Sequence, residues 1–372
     1  MIDITYYQIK QALRHLLSIF LLIAFLTPLS VITAYGDEPQ YIKRSVRALG
    51  MGNAFIAVAN DENALFYNPA GLHAIQQHIF EVITLNATIN KNIIDLIDES
   101  DDDQAETIGQ LVGEKLHADA NLGLMSMSGP GWGYSIFGSF LFDAKIRNRT
   151  VPYLELKTYL QYGAIGGIAL SFLDETLVAG ANYKVVSRNG VGTDVHIVDF
   201  LDDDFSDQIE DDFTTKTGAS PDFGLTYKFD AYYNWEPKVA VVVRNIGGMD
   251  FGSTGEIPMT IDLGFATQSE FAGFDVILAL DVIDLAQEAT VYKSFKRNLK
   301  MGLEIGMLKR SNSHHALSYR IGRNGPYSTW GISLNIPYFP MMFDYANWSE
   351  EVGNVAGDIE DNRQALQFSF NF

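Results

Sequence analysis

Alternation of apolar and polar residues recurs along most of this chain, and it limits the fold more than any other feature. Residues two apart in a strand share a face, so alternation marks a strand with one apolar side. Over 160–172, Leu160, Tyr162, Ala164, Gly166, Ile168, Leu170 and Phe172 fall on one side. Over 177–188, Leu177, Ala179, Ala181, Tyr183 and Val185 oppose Asn182, Lys184 and Arg188. Segment 299–307 sets Leu299, Met301, Leu303, Ile305 and Met307 against Lys300 and Glu304. The final segment sets Leu366, Phe368, Phe370 and Phe372 against Gln367, Ser369 and Asn371. In all, the pattern predicts fourteen strands: 78–87, 120–128, 132–145, 157–172, 176–188, 220–229, 237–245, 257–267, 273–283, 298–308, 315–322, 328–336, 341–348 and 363–372. Several have the length of about nine to eleven residues that a tilted strand needs to cross a bilayer.

The connections separate a soluble sandwich from a membrane barrel. They alternate long and short, as expected where one end of a barrel carries loops and the other tight turns. Breakers mark the short ones: Gly129-Pro130-Gly131, Asp174-Glu175 and the stretch from Pro337 to Pro340. Aromatic residues gather beside them, among them Trp132, Phe172, Phe229, Tyr232, Tyr233, Trp235, Phe271, Phe274, Tyr338, Phe339 and Phe372. Rings at headgroup level form the girdles of such barrels. The reading is therefore an all-β, closed antiparallel transmembrane barrel. Short helices are expected in its long loops, at 93–116 and 195–213.

Composition removes several function classes. The chain has no Cys, which excludes disulfides, thiolate metal sites and a cysteine nucleophile. Its net charge of −20 argues against a nucleic-acid partner, which would need clustered Lys and Arg. At the N-terminus, Lys10, Arg14 and His15 precede the apolar run 16–26, then Pro28 and the small residues Ala34 and Gly36. That order predicts an export signal over 1–36. Segment 37–77 does not alternate and reads as a separate N-terminal element. The barrel then occupies 78–372.

Within that element, Asp61 precedes a short helical stretch that Pro69 ends. Arg47-Ala48-Leu49-Gly50-Met51-Gly52-Asn53-Ala54-Phe55, then Ala57-Val58-Ala59-Asn60-Asp61, then Ala64-Leu65-Phe66-Tyr67-Asn68-Pro69-Ala70-Gly71-Leu72, resembles the opening of FadL-like outer-membrane proteins. That family includes long-chain fatty-acid transporters and relatives linked to conjugation (TraF-like) and to type IX secretion (PorV-like). The resemblance implies a fourteen-stranded barrel whose N-terminal segment folds into the lumen as a hatch, with Asn68, Pro69, Ala70 and Gly71 as the hatch motif. It also implies an inward kink in the third strand, for which Gly133 and Gly138 are the candidate positions. Phe372, at the end of an aromatic terminal strand, is implied as the signal read by the barrel assembly machinery. The bacterial outer membrane is the implied location.

Charged residues carry the remaining information. A Lys or Arg facing lipid near the midplane costs about 2–4 kcal/mol, so charges within the strands are expected to face the lumen. These are Lys184, Arg188, Lys228, Arg244, Asp262, Asp281, Lys300, Glu304 and Arg320. Both signs occur, which predicts an ion-paired, plugged interior. Acidic runs at 98–103 and 202–212 lack EF-hand spacing and read as solvated loops. Neither a Gly-x-Ser-x-Gly elbow nor a His-Glu-x-x-His motif is present. No enzyme activity, metal or cofactor is expected. The expected partners are outer-membrane lipid and a hydrophobic small molecule, with the chain a monomer. Two functions follow: passive uptake of hydrophobic, fatty-acid-like molecules past the hatch, or a non-transporting scaffold for secretion or conjugation partners.

Overall fold

The computed structural model describes residues 39–98, 113–147, 153–196, 212–289, 294–309, 314–336, 339–353 and 355–372. The expected export signal and most of both acidic runs lie outside the described residues. The main-chain elements are β1 (Ile79–Asn90), β2 (Lys115–Gly129), β3 (Trp132–Arg147), β4 (Tyr153–Phe172), β5 (Leu177–His196), β6 (Thr214–Lys228) and β7 (Glu236–Arg244). They continue with β8 (Met249–Asp250), β9 (Glu256–Ile257), β10 (Thr260–Phe271), β11 (Phe274–Val282), β12 (Leu299–Lys309), β13 (His315–Asn324), β14 (Tyr327–Asn335), β15 (Met341–Glu351) and β16 (Glu360–Asn371). All but β8 and β9 form one closed barrel in which β1 pairs with β16. Every neighbour is antiparallel and consecutive, apart from the step from β7 to β10 around the β8–β9 hairpin. Closure removes free strand edges, which lipid could not hydrate. Among the described residues no helix is long and apolar enough to cross a membrane.

Side-chain placement follows the alternation. Leu85, Phe140, Leu160, Leu170, Tyr183, Phe223, Leu280, Ile332 and Leu366 face outward and are exposed. Their neighbours Asn86, Gln161, Asn182, Asp222, Asp281, Ser333 and Gln367 are buried inside. A polar interior with an apolar exterior inverts a soluble protein and is what a hydrocarbon solvent selects.

The turns follow backbone chemistry. Ala272 and Gly273 both have positive φ, 51° and 82°, in a two-residue hairpin whose twist matches its strands. Phe229, Tyr232, Tyr233, Phe271, Phe339 and Phe372 are exposed at this end. The C-terminal residue completes the closing seam: Phe80 and Phe372 exchange backbone hydrogen bonds of 2.9 and 2.8 Å.

Two expectations change. β4 and β5 each run for 20 residues, well past the predicted ends on the long-loop side. The strand expected over 257–267 starts at Thr260, and Ile257 belongs to the separate β8–β9 hairpin. Pairing shifts on β2, between Leu124 and Met127 where it meets β3, and on β1, between Glu81 and Ile83. Met125 has φ of 50°, so the extra residue is absorbed by a bulge in β2. On its other side β3 pairs in register with β4 from Trp132 to Arg147, across Gly133 and Gly138. Of the expected loop helices, Lys91–Asp98 is present at the end of β1.

Candidate functional site: the plugged lumen

Segment 39–78 packs against the inner wall. It holds helix Val46–Gly50, helix Ala64–Tyr67 and the 3-10 helix Pro69–Ala74. Ser45 caps the first, its side chain accepting from the Ala48 amide. Such short helices are not stable alone, so burial must hold them. Phe55, Ile56, Leu65 and Leu72 are buried together with the wall residues Phe137, Ile165, Val178, Val186, Val242 and Ile277.

Asn68 to Gly71, the expected hatch motif, make the turn between the second and third helices. Asn68 is extended, with φ −154° and ψ 106°, as Pro69 requires of its predecessor. Its Oδ1 accepts from the Ala70 amide at 3.0 Å, capping the 3-10 helix. Its Nδ2 donates to the Ile56 carbonyl at 2.9 Å and to Thr226 Oγ1 on β6 at 3.1 Å. One side chain thus ties the turn to the segment and to the wall. Space for this turn comes from glycines on the wall. Gly180 and Gly224 lie opposite each other on β5 and β6. A Cβ on Gly224 would lie 2.1 Å from Asn68 Oδ1, and one on Gly180 2.3 Å from the Ala70 nitrogen. Gly302 and Gly322, paired across β12 and β13, receive Met51 in the same way. Gly71 itself approaches Ala59, whose carbonyl oxygen would be 2.1 Å from an added Cβ.

A charged network holds the opposite side. Arg47 donates from Nε and Nη2 to both Glu304 carboxylate oxygens, at 2.9 and 2.7 Å. Its Nη1 reaches Asn60 and Asp61, each at 2.8 Å. Arg320 donates to Glu304 at 2.5 Å and to Asp344 at 3.2 Å. Burial alone would ease the proton off Arg47, but Glu304 and Asp61 outweigh it and hold the guanidinium above its usual value. Glu62 goes the other way: burial, then Asp61 and Glu81, raise its carboxyl well above the ordinary carboxylate range. On β11, Asp281 accepts from the Phe55 and Ile56 amides at 2.6 and 2.7 Å, gripping the plug backbone.

The lumen-facing residues expected from sequence fall as follows. Lys184, Arg188, Arg244, Asp262, Asp281, Lys300, Glu304 and Arg320 are all buried. Lys228 is half-buried at the short-turn end of β6. Lys184 pairs with Asp222 at 2.5 Å and Arg244 with Asp262 at 2.6 Å. Lys300 donates to the Arg297 carbonyl at 2.9 Å and to Asn324 Oδ1. Sequence reasoning passed over Asp222, Asp344, Arg363 and Asp361, although the same alternation phase marks each of them. Arg47 was legible only as part of a motif.

A second inward element closes the long-loop end. The loop between β7 and β10 carries the β8–β9 hairpin, and Met249, Phe251, Thr254 and Ile257 in it are buried. It presses on wall glycines: a Cβ at Gly192 would lie 2.0 Å from the Ser253 carbonyl oxygen, and one at Gly218 2.8 Å from Met249 Cβ.

This barrel has counterparts among solved structures. The chain is similar to the TodX monoaromatic hydrocarbon channel in its deltaS2 mutant form, at a TM-score of 0.51 and 11% identity over 88% of this chain and 99% of that one. The fold is that of this channel. The Ralstonia pickettii toluene transporter TbuX matches at 0.45 and 11%, over 87% of this chain and 97% of that one. A Pseudomonas aeruginosa FadL homologue matches at 0.38 and 8%, over 90% and 99%. No protein-family model and no curated protein matches the sequence.

Proposed function

We propose that this chain is a bacterial outer-membrane channel admitting small hydrophobic compounds, with residues 39–78 as its hatch and no catalytic step. One observation carries the reading: the plug is two-sided. Toward β12–β15 it is fastened by Arg47, Glu304, Arg320 and Asp344. Toward β3 and β4 it meets the wall mainly through apolar contacts, with Phe137 and Ile165 in the shared buried cluster and Phe66 on Phe137 at a ring-centroid distance of 5.5 Å. An apolar solute crossing the lumen would avoid the charged side, where it strands ions, and follow the apolar seam. The solved channels of this fold are described as taking monoaromatic hydrocarbons or toluene. A fatty-acid-like chain is the other cargo that suits such a seam.

The test is uptake of labelled toluene and of a labelled long-chain acid by cells lacking their own channels, with barrel abundance matched on gels. Faster entry of either on expression supports the reading, and the pair identifies the cargo. Unchanged entry of both would leave the scaffold function in its place.

A further inference from the structure

Arg188 is a buried arginine whose partners are all neutral. It is 1% exposed on the inner face of β5. Arg47, Arg244, Arg320 and Arg363 each meet a carboxylate. Among the described residues Arg188 meets none. Its Nε and Nη2 donate to Gln161 Oε1 at 3.2 and 3.0 Å. Its Nη1 donates to Gln40 Oε1 at 2.8 Å and to the Thr254 carbonyl at 3.2 Å. Two rings flank the guanidinium carbon, Tyr159 at 4.0 Å and Phe251 at 4.2 Å from their centroids.

These partners divide in two. Tyr159 and Gln161 belong to β4, and Gln161 lies directly opposite Arg188 in the sheet. They are fixed wall. Phe251 and Thr254 belong to the inturned loop, and Gln40 to the N-terminal segment, so none of the three is part of the barrel. The removable half supplies a ring against the guanidinium and oxygens on Nη1. A neutral acceptor compensates a buried guanidinium less well than a carboxylate does. A planar guanidinium, unlike an ammonium, can stack on a ring and donate in its own plane at once.

We propose that Arg188, with Tyr159 and Gln161, forms a binding site for a small aromatic carboxylate, and that Phe251 and the Thr254 carbonyl occupy it when the loop is folded in. The ligand's ring takes the place of Phe251, and its carboxylate takes the place of the Thr254 and Gln40 oxygens on Nη1. The exchange gives the buried cation a counter-ion that the resting structure lacks. A neutral amide with two N–H donors would serve two of these three oxygens without burying a charge. The proposal rests on the channel reading for its meaning in the cell, but the site itself is tested in detergent.

Titration of the purified Phe251→Ala barrel with benzoate, toluene and hexanoate tests the site. Benzoate is expected to bind at least tenfold tighter to Phe251→Ala than to the unaltered chain, and tighter than either other probe. Adding Arg188→Gln to Phe251→Ala is expected to remove that gain and leave toluene binding unchanged. Equal benzoate affinity with and without Arg188, or a preference for hexanoate, would overturn the proposal. Should Phe251→Ala fail to fold, Thr254→Cys gives a buried thiol in an otherwise cysteine-free chain. Its alkylation is expected to quicken at least threefold with benzoate and not with toluene or hexanoate, and no change with benzoate contradicts the site. Failure of toluene and long-chain-acid entry into cells would remove the channel reading while leaving benzoate binding in detergent intact.

Discussion

At the residue scale, Asn68 and Arg47 hold the plug by different physics. Asn68 satisfies two acceptors and one donor, and Asn68→Ala leaves the Ile56 carbonyl and Thr226 without that partner. The expected loss is about 1–2 kcal/mol of plug attachment, with the barrel still folded. Leakage of an apolar antibiotic into cells at equal barrel abundance measures it, and unchanged permeability would make Asn68 a turn residue only. Arg47→Met leaves Glu304 and Asp61 buried without their shared cation, a loss of about 3–5 kcal/mol. A clear drop in the temperature at which the folded gel band disappears is the expected result, and an unchanged band would show the network to be dispensable. The alternation phase read from sequence puts Glu304 and Arg320 on the inner face, and both are buried. It could not show that Arg47, about 250 residues away in sequence, completes their network, because ion pairing depends on where a non-periodic segment lies.

At the element scale, the glycines of the inner wall distinguish contact from spacing. Gly224→Ala brings a methyl to 2.1 Å from Asn68 Oδ1, whereas Gly138, on the outward phase of Tyr134, Ile136 and Phe140, would place a methyl 3.7 Å from its nearest atom. Gly224→Ala is expected to displace the hatch turn at a cost of about 1–3 kcal/mol, while Gly138→Ala behaves as the unaltered chain. Protease sensitivity of the N-terminal segment in purified barrels separates the two, and equal sensitivity would remove the role given to the wall glycines. At the same scale, deleting Asn371 and Phe372 removes the backbone pair with Phe80 at the closing seam. Less folded barrel in the membrane is expected, read from the heat-modified gel band. All fourteen barrel strands were legible, because lipid outside and a polar lumen inside impose a period of two on each. The extensions of β4 and β5 were not, since their outer ends carry little contrast between faces. The β8–β9 hairpin escaped for another reason. Met249, Phe251 and Ile257 sit among glycines in a stretch too short for periodicity to register.

At the scale of the whole molecule, the absence of cysteine makes sidedness directly measurable. Glu175→Cys lies in the turn between β4 and β5, and Glu288→Cys in the connection between β11 and β12 at the opposite end. A membrane-impermeant thiol reagent added to intact cells is expected to label Glu288→Cys and spare Glu175→Cys, and the reverse would invert the barrel. The plug also constrains how such a molecule can be assembled. Its anchors lie on strands from β5 to β15, and the chain passes from the plug straight into β1, one side of the last seam. Once β1 and β16 have joined, the strands form a closed ring around the plug, narrowed by the inturned loop at one end. Threading a folded segment into it afterwards would mean undoing contacts on most of the circumference. The sheet therefore has to wrap around a segment already inside the curl, and zipping the seam becomes the irreversible step that traps it.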